Sequence, residues 1–266
     1  MSEPDLIVPG WPSPSGVRAA FTLRSGGVSR PPFDGFNVAA HVGDDPRAVA
    51  ENRAALRASL QLPAEPAWLE QVHGHRVVDL DGATSHEPPG PADGAVTRTA
   101  GRVCVIQVAD CMPVLLAAAD GSAVGAAHAG WRGLAGGVLE ATVRGMNTPP
   151  GKLLAWMGPA IGQAHFEVGE EVRDAFLAAD AGAAAAFIAN ERGRWQCDLY
   201  ALARRRLGAL GLTSIQGGGW CTYADSARFF SYRRDGRCGR MAALIWRDSP
   251  ASSGGRFGGA QAASRP

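Results

Sequence analysis

Residues 103–133 read VCVIQVADCMPVLLAAADGSAVGAAHAGWRG, and the interpretation of this stretch decides the fold. Two apolar runs flank Asp120-Gly121, a dipeptide suited to the tight turn of a β-hairpin. A turn centred there pairs positions whose numbers sum to 241, so His128 falls opposite Pro113, and Cys111 points to the same face two residues along. Cross-strand diagonal neighbours lie about 7–8 Å apart at the backbone, close enough for a thiolate and an imidazole to converge on one atom. Proline cannot donate to a ladder, so Pro113 leaves open the alternative that Cys111 sits in the loop entering the strand.

Outward from this hairpin, short apolar runs recur at 17–23 (VRAAFTL), 75–80 (HRVVDL), 153–158 (LLAWMG) and 241–246 (MAALIW), and each predicts a strand. Helices are signalled by their ends. In DDPRAVAENRAALRASL (44–60), Asp45 is a cap, Pro46 takes the first helical position, and Val49, Leu56 and Leu60 share one side. In CDLYALARRRLGALG (197–211), Asp198 caps, Leu199, Leu202, Leu207 and Leu210 form a face, and Gly211 terminates. Residues 133–146 (GLAGGVLEATVRGM) and 168–179 (VGEEVRDAFLAA) also have helical composition, although each glycine weakens the first by about 1 kcal/mol. Strands and helices do not alternate regularly, which argues against a doubly wound parallel sheet. The prediction is an α/β (α+β) fold with mixed β-sheets in a sandwich and helices packed outside.

The chain has 266 residues, enough for one large domain with a substantial core. PGWPSPSG (9–16) and SPASSGGRFGGAQAASRP (249–266) are rich in Pro, Gly, Ser and Ala, so both ends are expected to be mobile. A single domain over 1–248 with a flexible tail at 249–266 is expected, and HEPPGPADG (86–94) reads as a loop. Lys and Arg number 26 against 25 Asp and Glu, a balance that gives no electrostatic footprint for nucleic acid or an anionic membrane. No apolar run approaches the roughly 18 residues of a membrane span, and the start does not read as a signal peptide. Five scattered cysteines without a CxxC pair suit a reduced, cytoplasmic chain. A small-molecule partner is therefore expected, although GxGxxG and GxxxxGK[ST] elements are absent.

A thiolate and one imidazole make half a metal site, and LEQVHGHRV (69–77) offers a third ligand in His73, with His75 as competitor. Three protein ligands leave one coordination position open, the catalytic pattern of zinc; two His and one Cys also suit copper. Met112 alternates to the other face and is discounted as an axial ligand. A metal-free rival uses the same pair, with Cys111 as nucleophile and His128 as its base. Asp110, beside Cys111, is a candidate acid or base. Anion-binding candidates are Arg24 before a Gly-Gly turn, Arg132 just ahead of a helix whose free N–H groups would join it, and Arg233 and Arg234 within CTYADSARFFSYRRDGRCGR (221–240).

Together FTLRSGGVS, HVGDDPRAVAENR, QVHG, ADCMPV, HAGWRG, WMGPAIG, FEVG and FFSYRRDGRCGR, spanning Phe21 to Trp246, resemble the YfiH-type laccase-domain family, also called multicopper polyphenol oxidases. The resemblance implies a CNF/YfiH-like single-domain sandwich and a mononuclear zinc site whose ligands are His73, Cys111 and His128, thus selecting His73 over His75. It implies phosphorolysis of adenosine, inosine and methylthioadenosine to free base and ribose 1-phosphate, with adenosine deamination. A purine nucleoside and phosphate are then the partners, the anion falling to Arg24, Arg132, Arg233 or Arg234, in a monomer or small homo-oligomer. The family also implies two alternatives: copper-dependent polyphenol oxidation, and peptidoglycan editing on muramic acid linked to a wrong amino acid. Six histidines are few for several copper centres. This chain departs from the family at Gln163-Ala164-His165, where relatives often carry Cys or Pro, which bears on base recognition.

Overall fold

Strands that are apolar at successive positions must bury both faces, and the central strands of this protein do so in a layered arrangement. The structure, a computed structural model, describes residues 4–82 and 90–248. In chain order the strands are β1 (Leu6–Ile7), β2 (Val17–Thr22), β3 (Val77–Asp79), β4 (Gly94–Thr97), β5 (Val103–Val108), β6 (Met112–Ala118), β7 (Val124–Ala129), β8 (Leu153–Met157), β9 (Glu167–Val168), β10 (Phe187–Ala189), β11 (Trp195–Cys197), β12 (Ser214–Gly217) and β13 (Met241–Arg247). The α-helices are α1 (Pro46–Leu60), α2 (Trp131–Gly136), α3 (Val138–Gly145), α4 (Glu170–Leu177), α5 (Leu199–Ala209) and α6 (Tyr232–Asp235).

An antiparallel sheet in the order β1-β2-β13-β5 stacks on a six-stranded sheet in the order β12-β8-β6-β7-β4-β3, whose two edge pairs are parallel. Between them lie Phe21, Ile106, Leu115, Trp156, Ala243 and Ile245. The outer face of the four-stranded sheet presents Ala20, Val105, Leu244 and Trp246 to Leu56 and Leu60 of α1. The outer face of the six-stranded sheet presents Val114, Leu116, Ala155 and Met157 to α3, α4 and α5, through Leu139, Val143, Phe176, Leu202 and Leu207. Full burial of each such side chain contributes about 1.5–3 kcal/mol. The expected mixed-sheet sandwich with helices outside is the fold observed. A small third sheet, β10-β11-β9, flanks it.

The two capped helices form for the predicted reasons. The Asp45 carboxylate accepts from the Arg47 N–H with Pro46 in the first turn, and the Asp198 carboxylate accepts from the Ala201 N–H. The helix expected over 133–146 is instead two, because Gly137 adopts φ 93°, ending α2 and starting α3. The N-terminal stretch also differs from expectation. Leu6 and Ile7 pair with Phe21 and Thr22, and Trp11 is buried against the inter-sheet core, so 9–16 is anchored. The expected tail at 249–266 and residues 86–89 of the expected loop lie outside the described residues. Among the described residues, no helix is long and apolar enough to cross a membrane.

The β6–β7 hairpin has the predicted register, with Pro113 opposite His128. Its loop is four residues long, 119–122, centred on Asp120-Gly121: Ala118 donates to Ala123 O, and the Asp120 carboxylate accepts the Ser122 N–H. The first part of the opening stretch does not belong to this hairpin. β5 lies in the other sheet, beside β13. The chain crosses between sheets at 109–111, where Asp110 adopts φ 86°, a conformation that Asp tolerates better than most residues. Cys111 therefore stands in the entry to β6, the alternative that Pro113 had left open.

Candidate metal centre

Val124, Ala126 and His128 alternate along β7 onto the face turned toward the other sheet, which brings the imidazole to the end of the inter-sheet core. The surrounding residues are small because neighbours approach closely: a Cβ at Gly125 would lie 3.1 Å from Val96 Cγ1 and 3.2 Å from Thr142 Cγ2. Position 130 follows directly on β7 and lies beside Cys111. A Cβ there would lie 2.8 Å from Cys111 Sγ and 3.2 Å from His73 Cδ2, so glycine leaves the space that two other side chains use.

The nitrogen and sulfur donors of His73, Cys111 and His128 all lie within 4.8 Å of one another. Cys111 Sγ stands 3.7 Å from His73 Nε2, close to the roughly 3.6 Å between sulfur and nitrogen donors tetrahedrally arranged on one zinc ion. The rings of His73 and His128 meet edge to face with centroids 4.8 Å apart. The donor set fits a single borderline-soft ion, zinc or copper. His128 is 3% exposed whereas His73 is exposed, so the open side of the centre faces solvent past His73. His75 points elsewhere, toward the end of α2 beside Gly136.

Asp93, fully buried, organises this geometry, and the sequence analysis did not single it out. Its Oδ1 lies 2.8 Å from His128 Nδ1 and 2.9 Å from the His73 N–H; its Oδ2 accepts from the N–H groups of Val72 at 3.2 Å and Gly74 at 2.7 Å. One carboxylate thus favours the tautomer of His128 that would leave Nε2 free to ligate an ion, and also holds the loop carrying His73, which bends through φ 60°. The signal that would have found it is chemical: a ligating imidazole needs an acceptor on its second nitrogen, and PADG supplies a carboxylate.

Electrostatics inside the centre are set by the mutual influence of Cys111, His128 and Asp93. Burial pushes the Cys111 thiol up, but the His128 charge and hydrogen bonds to His128 and His73 outweigh it and bring the thiol down to about 6. Burial pushes His128 down, yet the Cys111 thiolate and the Asp93 hydrogen bond raise it to about 9. For Asp93, burial opposes ionisation, while bonds from His128 and the Gly74 and Val72 backbone hold the carboxyl below its usual range.

The other expected residues fall into two groups. Asp110 is next to the centre, but its oxygens accept from the Thr222 hydroxyl at 2.6 Å and the Arg233 backbone N–H at 2.7 Å, so it ties Cys111 to two flanking segments. Arg233 and Arg132 are exposed: Arg233 donates to Glu167 O, and Arg132 lies over the Trp131 ring. Arg132 is within the first turn of α2 rather than ahead of it. Arg24 reaches Ser226 O and Asp34. Arg234 is the departure from expectation: its guanidinium donates to the carbonyls of Thr222, Tyr223 and Phe229 and to both Asp235 oxygens, which engages all five N–H groups and leaves none for an anion.

A mixed-sheet sandwich with two histidines and one cysteine gathered where the sheets meet is an architecture that could hold a metal ion. Residues 18–248 match the family described as multi-copper polyphenol oxidoreductase laccase, and the chain belongs to that family. It is 53% identical to "Purine nucleoside phosphorylase PA4543" of Pseudomonas aeruginosa, over 90% of this chain and 97% of that one. It is 52% identical to "Purine nucleoside phosphorylase YfiH" of Escherichia coli, over 91% of this chain and 98% of that one. Among solved structures it is similar to Neisseria meningitidis protein NMB0706, with a TM-score of 0.88 and 44% identity, covering 92% of this chain and 100% of the other.

Proposed function

We propose that the chain is a cytoplasmic, zinc-dependent purine nucleoside phosphorylase acting on adenosine, inosine and methylthioadenosine, with adenosine deamination as a second activity of the same site. The observation that carries the reading is the His73, Cys111 and His128 cluster, in a chain 53% identical to a protein named purine nucleoside phosphorylase. In phosphorolysis a phosphate oxygen bonds to the anomeric carbon of ribose as the C–N bond to the base breaks, giving free base and ribose 1-phosphate.

Zinc, when bound, would supply Lewis acidity to the reaction. His73, Cys111 and His128 would hold it, and Asp93 keeps the His128 ring fixed through Nδ1. Arg132 and Arg233, the exposed guanidiniums, are assigned to phosphate; Arg24 can contribute only what Ser226 and Asp34 leave, and Arg234 is structural. Asp110 acts as a positioning residue, since both of its oxygens already hold donors that fix Cys111 relative to Thr222 and α6.

The test is incubation of the zinc-loaded protein with inosine or adenosine and phosphate, followed by chromatography. Hypoxanthine or adenine together with ribose 1-phosphate is expected, and the loss of both in His128→Ala. Absence of base and of inosine from adenosine would overturn the reading, and turnover of a polyphenol by copper-loaded protein alone would replace it with the oxidase alternative.

A further inference from the structure

Of the five cysteines, four have an evident situation. Cys104, Cys197 and Cys238 are buried, and burial pushes all three thiols up, Cys197 to about 12. Cys111 belongs to the metal centre. Cys221 alone is partly exposed and outside that cluster.

Cys221 is not a solitary thiol. Its Sγ stands 3.4 Å from His165 Nδ1 and accepts the Gly162 N–H at 3.2 Å. The His165 ring is in turn held by stacking on Tyr223, with centroids 4.6 Å apart and planes 21° from parallel. Gly162 is the residue that permits this approach, because a Cβ there would sit 3.1 Å from Cys221 Cβ and 3.2 Å from Sγ. Nucleophile, base within hydrogen-bond reach and a third group that orients the base make up the general arrangement of an activated thiol. Cys221 is itself partly exposed, as are His165 and Tyr223 beside it. The proposed nucleoside chemistry assigns no bond-making or bond-breaking step to Cys221 or His165.

We propose that Cys221 and His165 form a second reactive centre, a thiol–imidazole pair whose sulfur is oxidised by hydroperoxides to sulfenic acid. His165 Nδ1 lies within reach of the sulfur to accept its proton as the attack proceeds, and the Gly162 N–H is already directed at that sulfur. The thiolate attacks one peroxide oxygen: an S–O bond forms, the O–O bond breaks, and the departing alkoxide or hydroxide receives the proton from His165. Sulfur is oxidised by two electrons and the hydroperoxide is reduced to an alcohol or water. The inference does not depend on the nucleoside reading, since it concerns other side chains and a different co-reactant.

The experiment treats the zinc-loaded full chain with cumene hydroperoxide in the presence of a dimedone-type trap and maps the adduct by peptide mass spectrometry. Label is expected on Cys221 ahead of the other four thiols, absent in Cys221→Ser, and formed about tenfold or more slowly in His165→Gln, with zinc content unchanged. First labelling at Cys111, or no label at Cys221 in the wild-type protein, overturns the proposal whatever the variants do. Equal labelling rates in wild type and a folded, zinc-replete His165→Gln overturn the role of the imidazole.

Discussion

Asp93 and His128 are joined twice: the carboxylate meets the ring Nδ1 at 2.8 Å, and the Asp93 carbonyl accepts the His128 backbone N–H at 2.7 Å. The first contact sets the imidazole tautomer and the second sets its height along the strand. Asp93→Asn keeps the shape but removes the charge, so it should lower zinc affinity about 10–100-fold, the usual effect of losing an outer partner of a ligating histidine. Competition against a chromogenic chelator measures this. Unchanged affinity would mean that the loop carrying His73 is held by something other than that carboxylate.

His73 and His75 are two residues apart, yet only one belongs to the centre. His73→Ala should reduce bound zinc from stoichiometric to a small fraction, while His75→Ala should leave it intact because that ring faces Gly136. Elemental analysis of the two purified variants, side by side, settles the assignment.

Gly130 has φ −65° and ψ 161°, a conformation open to any residue, so a loss on substitution there cannot be blamed on backbone strain. Gly130→Ala places a methyl group 2.8 Å from Cys111 Sγ and 3.2 Å from His73 Cδ2. Two ligands must move, and zinc affinity is expected to drop by about tenfold or more while the melting temperature shifts by only a few degrees. A fall in melting temperature with undiminished metal binding would show that the strain is relieved away from the ligands.

What could be read in advance was whatever depended on local pattern. The Asp120-Gly121 turn gave the register that pairs Pro113 with His128, and Asp45 and Asp198 announced their helices. What stayed hidden depended on contacts distant in sequence. The apolar runs on either side of Asp110 mark strands but do not say which sheet each joins, and only the reversal at Asp110 sends β5 to the other sheet. Trp11 looked like part of a loose end because Pro and Ser surround it, but its ring is held by the inter-sheet core. The spacing alone left His73 and His75 as rivals, and the resemblance to a family chose between them. Asp93 and the Cys221–His165 pair escaped notice for the same reason: each acts on a partner 35 or 56 residues away.

Asn52 on α1 is 1% exposed, and its side chain satisfies four groups of the 28–37 loop: it accepts from the Val28 N–H and donates to Ser29 Oγ, Gly35 O and Asn37 O. Asn52→Ala strands buried polar atoms at about 1–3 kcal/mol each where water cannot replace the amide, so a loss of about 2–4 kcal/mol is expected. Chemical denaturation monitored by tryptophan fluorescence reports it, and zinc stoichiometry should hold because α1 packs on the opposite side of the sandwich from the helices near the metal ligands. A loss below about 0.5 kcal/mol would indicate that water takes over those bonds.

The opposed shifts at Cys111 and His128 make zinc uptake depend on pH in a definite direction. With the thiol down at about 6 and the imidazole up at about 9, the metal-free protein between those values holds a thiolate beside a protonated ring. Zinc needs the thiolate and the neutral ring, so His128 must release its proton in that window. Affinity should therefore climb with pH from about 6 to 9 by roughly one logarithmic unit per pH unit, level off above 9, and fall more steeply below 6 as Cys111 is also protonated. Calorimetric titrations in buffers of different ionisation enthalpy should count the released proton near pH 7.5. In Cys111→Ser the His128 ring loses the neighbour that raises it, so proton release at that pH should shrink. Proton release as large in that variant as in the wild type would show that the two groups are not coupled.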